Sequence, residues 1–335
     1  MPSRYEPTRA LREPPYKRKF LGDSAPNERV KVKMSAHRII LATVALLLVI
    51  WASACAAYTS QSDSSQQSSK PIHSEHLSTL SAKDFDPTNF DHSTFVDNKW
   101  FPLMPGEHSV FEGSAFDDGQ RVSRRVVSTV TDLSKVINGV NTIVLLERDY
   151  TEGEEVEAEL AFFAQDKYGN VWHMGEYPEE YENGQFDKAP GWLAGFKGAK
   201  AGIAMMADPR LGTPSYAQGY APPPINWVDR GRVYKVGKKT CVPVDCYEGV
   251  LVIEEFERNK PGAYQLKYYA PGVGDIRVGW RGPQEEEKES LELVKDVHLS
   301  QKGLAKARAK ALELEKHAYQ IKEYFGKTQP AKPTL

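Results

Sequence analysis

From Ser109 to Arg281 the apolar residues recur at every second position in short runs, the period of a strand with one face buried. Val122, Val126 and Val130 share one side of a first run. Val140, Thr142, Val144 and Leu146 share one side of a second, and Val156, Ala158, Leu160 and Phe162 of a third. Between the runs stand Asp118-Gly119, Asn138-Gly139, Glu152-Gly153, Gly169-Asn170 and Asn183-Gly184, dipeptides that tolerate positive φ and close tight hairpins. Links this short join antiparallel neighbours, because parallel pairing needs a long crossover. Runs at Tyr247 to Glu257, Tyr264 to Ala270, Asp275 to Trp280 and Leu291 to Leu299 continue the series. The pattern predicts a mainly β domain, a curved antiparallel meander sheet in the form of a half-barrel or open barrel.

Two stretches depart from this period. Lys188 to Asn226 is dense in Gly and Pro and lacks alternation, yet with its flank it holds Trp192, Phe196, Tyr216, Tyr220 and Trp227. It is expected to be a long covering loop packed over an open face of the sheet. After Ser300, a plausible N-cap, Leu304, Ala307, Ala311, Leu314, Ala318, Ile321 and Phe325 follow at alternating spacings of three and four. This predicts one amphipathic helix over 300–326. Its apolar stripe suits docking on the domain's own sheet, and a coiled-coil seam is the other use of the same spacing. The Pro-containing tail 327–335 is expected to be flexible.

The N-terminal quarter is organised differently. Residues 1–33 are basic, Pro-containing and without apolar period, a disordered composition. An apolar run from Ile39 to Trp51 follows His37 and Arg38 and leads into Ala52-Ser53-Ala54 and Cys55, the layout of a secretory signal. A signal of ordinary proportions would start at Met34, so 34–55 is read as a signal with Cys55 as the candidate lipidation site. Ala52 stands where a bacterial lipobox usually carries Leu. A signal anchor over 39–57 and a plain cleaved signal are the alternatives. Residues 56–82 contain the Ser-rich tether SQSDSSQQSSK, and the β domain is expected over 83–299. Each alternative places that domain outside the cytoplasm, at the cell envelope, with the membrane as partner through an N-terminal lipid or anchor.

Composition narrows the partners. With 43 Lys and Arg against 45 Asp and Glu, the formal net charge is −2, and the basic excess of a nucleic-acid binder is missing. Cys241 and Cys246 are most simply a disulfide in an oxidising compartment. Along a straight strand five residues would hold the two Cα atoms about 16 Å apart, so Val242-Pro243-Val244-Asp245 must turn. Free thiols and a metal site are the other readings.

Candidate chemistry is sparse. No nucleophile elbow or phosphate loop is present, since GWLAGFKGAKAG (191–202) lacks the Lys-Ser/Thr pair, and no cofactor is implied. His73 and His76 have a metal-compatible spacing but lie in the tether. His173 sits in GNVWHMGEYPEEY, where strict alternation puts Val171, His173, Gly175 and Tyr177 on one face and Trp172, Met174 and Glu176 on the other. Glu152, Glu154, Glu155, Glu157 and Glu159 surround a turn and read as a solvated tip, with calcium as the sharper alternative. Glu147 with Glu159, or Glu176 with Glu254, are the carboxylate pairs a hydrolase could use. The candidate ligand-contacting residues are Trp172, His173, Tyr177, Trp227 and Tyr269.

The segments FVDNKWFPLMPGEHSVFEG (95–113), AFFAQDKYGNVWHMGEYPEEYENG (161–184), YAPPPINWVDR (220–230) and LKYYAPGVGDIRVGW (266–280) resemble a family of bacterial exported proteins, many with lipoprotein signals, of no known activity. The resemblance spans about residues 83 to 325 and carries over no catalytic residue. At the level of fold alone, the pattern is also similar to lipoprotein carriers whose curved sheet holds an acyl chain. These features imply a non-enzymatic envelope protein binding an amphiphile, a glycan or a partner protein. A carboxylate-dependent hydrolase and a structural lipoprotein without a pocket are the rivals.

Overall fold

The computed structural model describes residues 84–334. The candidate signal, Cys55, the Ser-rich tether and His73 with His76 lie outside the described residues. Among the described residues fifteen strands precede the helix. They are β1 (Glu107–Asp117), β2 (Gln120–Ile137), β3 (Val140–Thr151), β4 (Glu154–Gln165), β5 (Val171–Glu182), β6 (Gln185–Lys188), β7 (Trp192–Leu193), β8 (Lys200–Met205), β9 (Tyr216–Ala217), β10 (Gly219–Tyr220), β11 (Arg230–Cys241), β12 (Cys246–Phe256), β13 (Tyr264–Ala270), β14 (Gly274–Arg281) and β15 (Ser290–His298). Helix α1 (Gln301–Ile321) and the short β16 (Lys332–Pro333) follow.

Hairpin chemistry sets the meander. At Asp118-Gly119, Asn138-Gly139, Glu152-Gly153 and Asn183-Gly184 both residues have positive φ, between 47° and 85°, which is the pair required by a tight turn whose twist matches the strands. The sheet runs β10-β8-β5-β4-β3-β2-β1-β15-β14-β13-β12-β11-β9, with every pairing antiparallel. The pairing of β1 with β15 joins the two halves into a nearly closed barrel. One seam stays unsealed, between β9 and β10, which are consecutive in the chain and not hydrogen-bonded as a ladder.

The expected covering loop does more than cover. It supplies β7, β8 and β10, which extend the wall beyond β5, and β9, which pairs with β11 at the other edge, so the stretch from 188 to 226 is part of the barrel rather than a flap upon it. The Cys241–Cys246 disulfide closes the β11–β12 hairpin, with the backbone N–H of Val242 donating to the carbonyl of Asp245 (2.9 Å) in the turn. The segment before β1 crosses the barrel end at the β4–β5 and β13–β14 turns. There Gly272 N donates to Lys99 O (2.7 Å) and Gln165 N to Ser93 O (2.9 Å).

Helix α1 docks on the outside of this barrel, as the docking alternative requires. Ser300 caps it, accepting from Gly303 N, and Ala311, Leu314 and Ala318 are buried against Leu133, Leu146, Leu160, Phe162, Met174 and Tyr177. Ile321 is 40% exposed, whereas Phe325 is fully buried, because the helix ends at Ile321 and a 3-10 turn at Phe325–Lys327 swings the ring back inward. The tail is pinned rather than flexible. Gln329 O and the backbone N–H of Ala331 bond to Lys135 and Glu315 beneath the helix, and β16 pairs with β2. Among the described residues no helix is long and apolar enough to cross a membrane.

Candidate functional site in the barrel lumen

The alternation of β3 and β4 decides what faces the lumen. Val144 and Leu146 of β3, with Ala158, Leu160 and Phe162 of β4, point outward into the core beneath α1. Their sequence neighbours Leu145, Glu147, Glu159, Ala161 and Phe163 point the other way and line a cavity of about 290 Å³ inside the barrel. The stripe that reads as a sheet's core is therefore its outer face, made apolar by the helix. Of the acidic cluster, Glu152 and Glu154 are exposed at the turn, but Glu159 lines the cavity and Glu157 lies close to the same carboxyl set. The solvated-tip reading holds for the tip alone.

Glu147 and Glu159 are directly opposite each other across the β3–β4 ladder. Glu107, Asp229, Glu255 and Asp275 complete the acidic lining, Lys267 is the basic residue in it, and Phe101, Trp227 and Tyr269 add aromatic surface. Arg124 bonds Asp149 (3.1 Å) and lies 3.4 Å from Glu289. Gln218 holds Glu255 through its amide (2.6 Å).

Burial and crowding push these carboxyls in one direction. Burial, then the neighbouring Glu147, raises Asp149 to about 7. Burial, with Asp149 and Glu147 nearby, raises Glu157 to about 8. Glu176 is raised to about 8 by burial and by Asp229, although the indoles of Trp192 and Trp227 work against this. Burial raises Asp275 to about 7 against the pull of Lys267, and Asp229 to about 6 with help from Glu255. Glu159 is carried well above the carboxylate range by burial and then by Glu176 and Glu157; Glu147 moves up by burial against the pull of Lys267, with Asp275 and Glu289 adding to the rise. Burial disfavours the charge on Lys267, but Asp275, Glu255, Glu289 and Glu147 outweigh it and its pKa rises.

Three of the five sequence-chosen contact residues, His173, Trp227 and Tyr269, line the cavity. Trp172 and Tyr177 do not. They belong to the outer core, where Trp172 Nε1 donates to Asp166 (2.9 Å) and Tyr177 OH to Glu179 (2.7 Å). A bulge explains the split. The β4–β5 register shifts between Phe162 and Phe163, so Phe162 faces Gly175 and Phe163 faces His173. Gly175 has φ +142°, and an added Cβ would meet Trp192 O at 2.5 Å, so glycine is required at this turn of the strand. The phase reverses there, which puts Tyr177 with Trp172 and Met174 and brings Glu176 within 3.7 Å of His173 Nε2.

The His173 ring stacks on Phe163 (centroids 5.1 Å apart) and meets the edges of Trp192 and Trp227 at 5.1 and 5.4 Å. Burial holds its pKa down to about 4, so it is neutral at pH 7. Of the carboxylate pairs named from sequence, Glu147 and Glu159 are brought together. Glu254 is not near Glu176; it is buried on the other face of β12 between Arg232 and Arg281. Sequence reasoning missed Lys267, Asp229, Glu255 and Asp275. The available signal was two acidic residues in one phase on successive strands, Glu147 with Asp149 and Glu157 with Glu159.

No protein-family profile matches the chain, and no curated protein matches it. Among solved structures it is similar to a Bacteroides fragilis protein of YmcC-like fold, described as exported, with 12% identity, coverage of 60% of this chain and 99% of that one, and a TM-score of 0.35. A Parabacteroides distasonis protein described as a lipoprotein is 12% identical, with coverage of 62% and 100% and a TM-score of 0.32. Likeness at this distance leaves the function to be argued from the lumen.

Proposed function

We propose that this is a non-enzymatic binding protein of the cell envelope that holds a small polar ligand inside its barrel. The observation that carries the reading is the cavity of about 290 Å³ in which aromatic faces and titratable side chains converge. A structural lipoprotein without a pocket would fill this space with apolar side chains. An acyl carrier would line it continuously with them, and Glu147, Glu159 and Lys267 interrupt any such track. Of the ligand classes considered from sequence, a polar molecule within the barrel therefore suits the lining better than an amphiphile or a protein on the outer sheet.

Filling the lumen tests the proposal. Ala204 lines the cavity, and Ala204→Phe projects a ring into it. Native mass spectrometry of purified wild type is expected to show a small co-purified mass that is absent from the variant. The same mass on both proteins would place the site elsewhere.

A hydrolase is the second reading, favoured by the cross-strand pair Glu147 and Glu159. Glycosidases separate the pKa values of their two carboxyls, one acid and one ionised, and set them on either side of the scissile bond. Here burial raises both, and both stand on one wall. The arrangement suits binding better than bond cleavage.

The envelope location rests on the segment from Arg38 to Cys55. Cells fed a radioactive fatty acid are expected to label the wild type and not Cys55→Ser. Equal labelling of the two would exclude Cys55 as the lipid attachment site.

A further inference from the structure

We propose that the lumen's ligand is a small organic cation of the diamine or ammonium class; this rests on the reading of the lumen as a binding site. Charge is the first support. Glu147, Glu159, Asp229, Glu255 and Asp275 line the cavity with Lys267 as the one Lys or Arg among its lining residues. A neutral ligand leaves this excess of acid in place, and an anion adds to the repulsion. An ammonium group turns the same side chains into partners.

The spread of the acids decides what kind of cation. Among the described residues no three His, Cys, Asp or Glu side chains converge as a metal site would require. The carboxyls are distributed around a cavity large enough for several non-hydrogen atoms, so an extended cation can reach more than one of them where a single ion cannot. Aromatic faces add to this. Phe101, Phe163, Trp227 and Tyr269 line the same space, and ring faces attract cations most where water is excluded.

His173 gives the independent pointer. It is 7% exposed, it lines the cavity, and its Nε2 has no hydrogen-bond partner within the described protein. A buried polar atom left without a partner is costly, which is the condition a ligand relieves. The ring is neutral at pH 7, and in the tautomer protonated at Nδ1 its Nε2 accepts a hydrogen bond. An ammonium N–H is a donor of the matching kind.

Isothermal titration of the purified full-length protein with 1,4-diaminobutane, and in parallel with 1,4-butanediol, glucose and hexanoate, tests the class. The diamine is expected to bind while the diol of the same length does not. Glu159→Gln, nearly isosteric, is expected to weaken the diamine at least about tenfold, the size of a charged hydrogen bond lost. Ala204→Phe, or Ala161→Phe should the first fail to fold, is expected to abolish it. Binding of the diol, the sugar or the carboxylate in place of the diamine, lost on filling the lumen, would overturn the cation and leave the binding site standing. Diamine binding that survives both filled variants would overturn both. Absence of heat with the diamine at millimolar concentration would also overturn the cation, while the co-purified mass still decides the site.

Discussion

Glu315→Ala is expected to destabilise the domain by about 3–5 kcal/mol, the usual effect of removing one partner of a buried ion pair. Lys135 has a fully buried side chain whose ammonium donates to Glu315 Oε1 (2.8 Å), Tyr319 OH (3.0 Å) and Gln329 O (2.8 Å). All three of its protons are thereby placed. Glu315 also accepts from Ala331 N (2.9 Å), so the pair ties the sheet, the helix and the returning tail together. Without Glu315 the ammonium keeps its burial and loses its counter-charge. The double variant Lys135→Met/Glu315→Leu removes both desolvation penalties and is expected to recover most of the loss. Chemical denaturation at two protein concentrations about a hundredfold apart measures this, and the midpoints should not depend on concentration because α1 docks on its own chain. A loss under about 1 kcal/mol, as for an exposed pair such as Lys327–Glu323, would mean that water reaches the underside of the helix.

The second large effect is on pH. Most proteins lose stability in mild acid; this domain is expected to gain it between pH 8 and pH 5. A carboxyl whose folded pKa lies above its unfolded value binds more protons when folded, so its stabilisation is complete below the unfolded pKa and is lost as pH rises through the folded one. Asp229, Asp149, Asp275, Glu157 and Glu176 are raised to about 6, 7, 7, 8 and 8, which sets the window of loss at about pH 5 to 8. His173 acts the other way. Its pKa is held down to about 4, so its contribution is present above pH 6.5 and is lost as pH falls towards 4. One imidazole is outweighed by several carboxyls until the acid end. A single carboxyl moved from 4 to 7 is worth about 4 kcal/mol. After discounting each group for solvent in the cavity, we expect a net gain of about that size, roughly 8–16 °C in Tm for a domain of this length. Asp229→Asn is expected to raise Tm at pH 8 and to change it less at pH 5. A Tm that stays level or climbs from pH 5 to 8 would show that the lumen carboxyls are fully hydrated.

Local interactions were legible in the sequence because they are settled within a few residues. The positive-φ dipeptides mark the hairpins, period-two runs mark β3, β4, β12, β13 and β14, Pro243 and Asp245 permit the turn inside the disulfide, and Ser300 with Ala311, Leu314 and Ala318 specifies the helix and the side it buries. Strand β11 escaped, because Lys235, Lys238 and Lys239 are exposed and mask its alternation. Alternation states that a strand has two faces, and it cannot state what each will meet. Val144 and Leu146 read as the inside of a sheet yet lie outside it under α1, whereas Glu159 reads as part of a solvated tip and lines the lumen. A single bulge at Gly175 was enough to exchange the places of Tyr177 and Glu176. Only the tertiary structure decided these, since closing β1 onto β15 joins residues far apart in the chain, Glu107 with His298 among them. Which carboxyls crowd together, and which therefore hold their protons, depends on that closure and on no property of the strands taken one at a time.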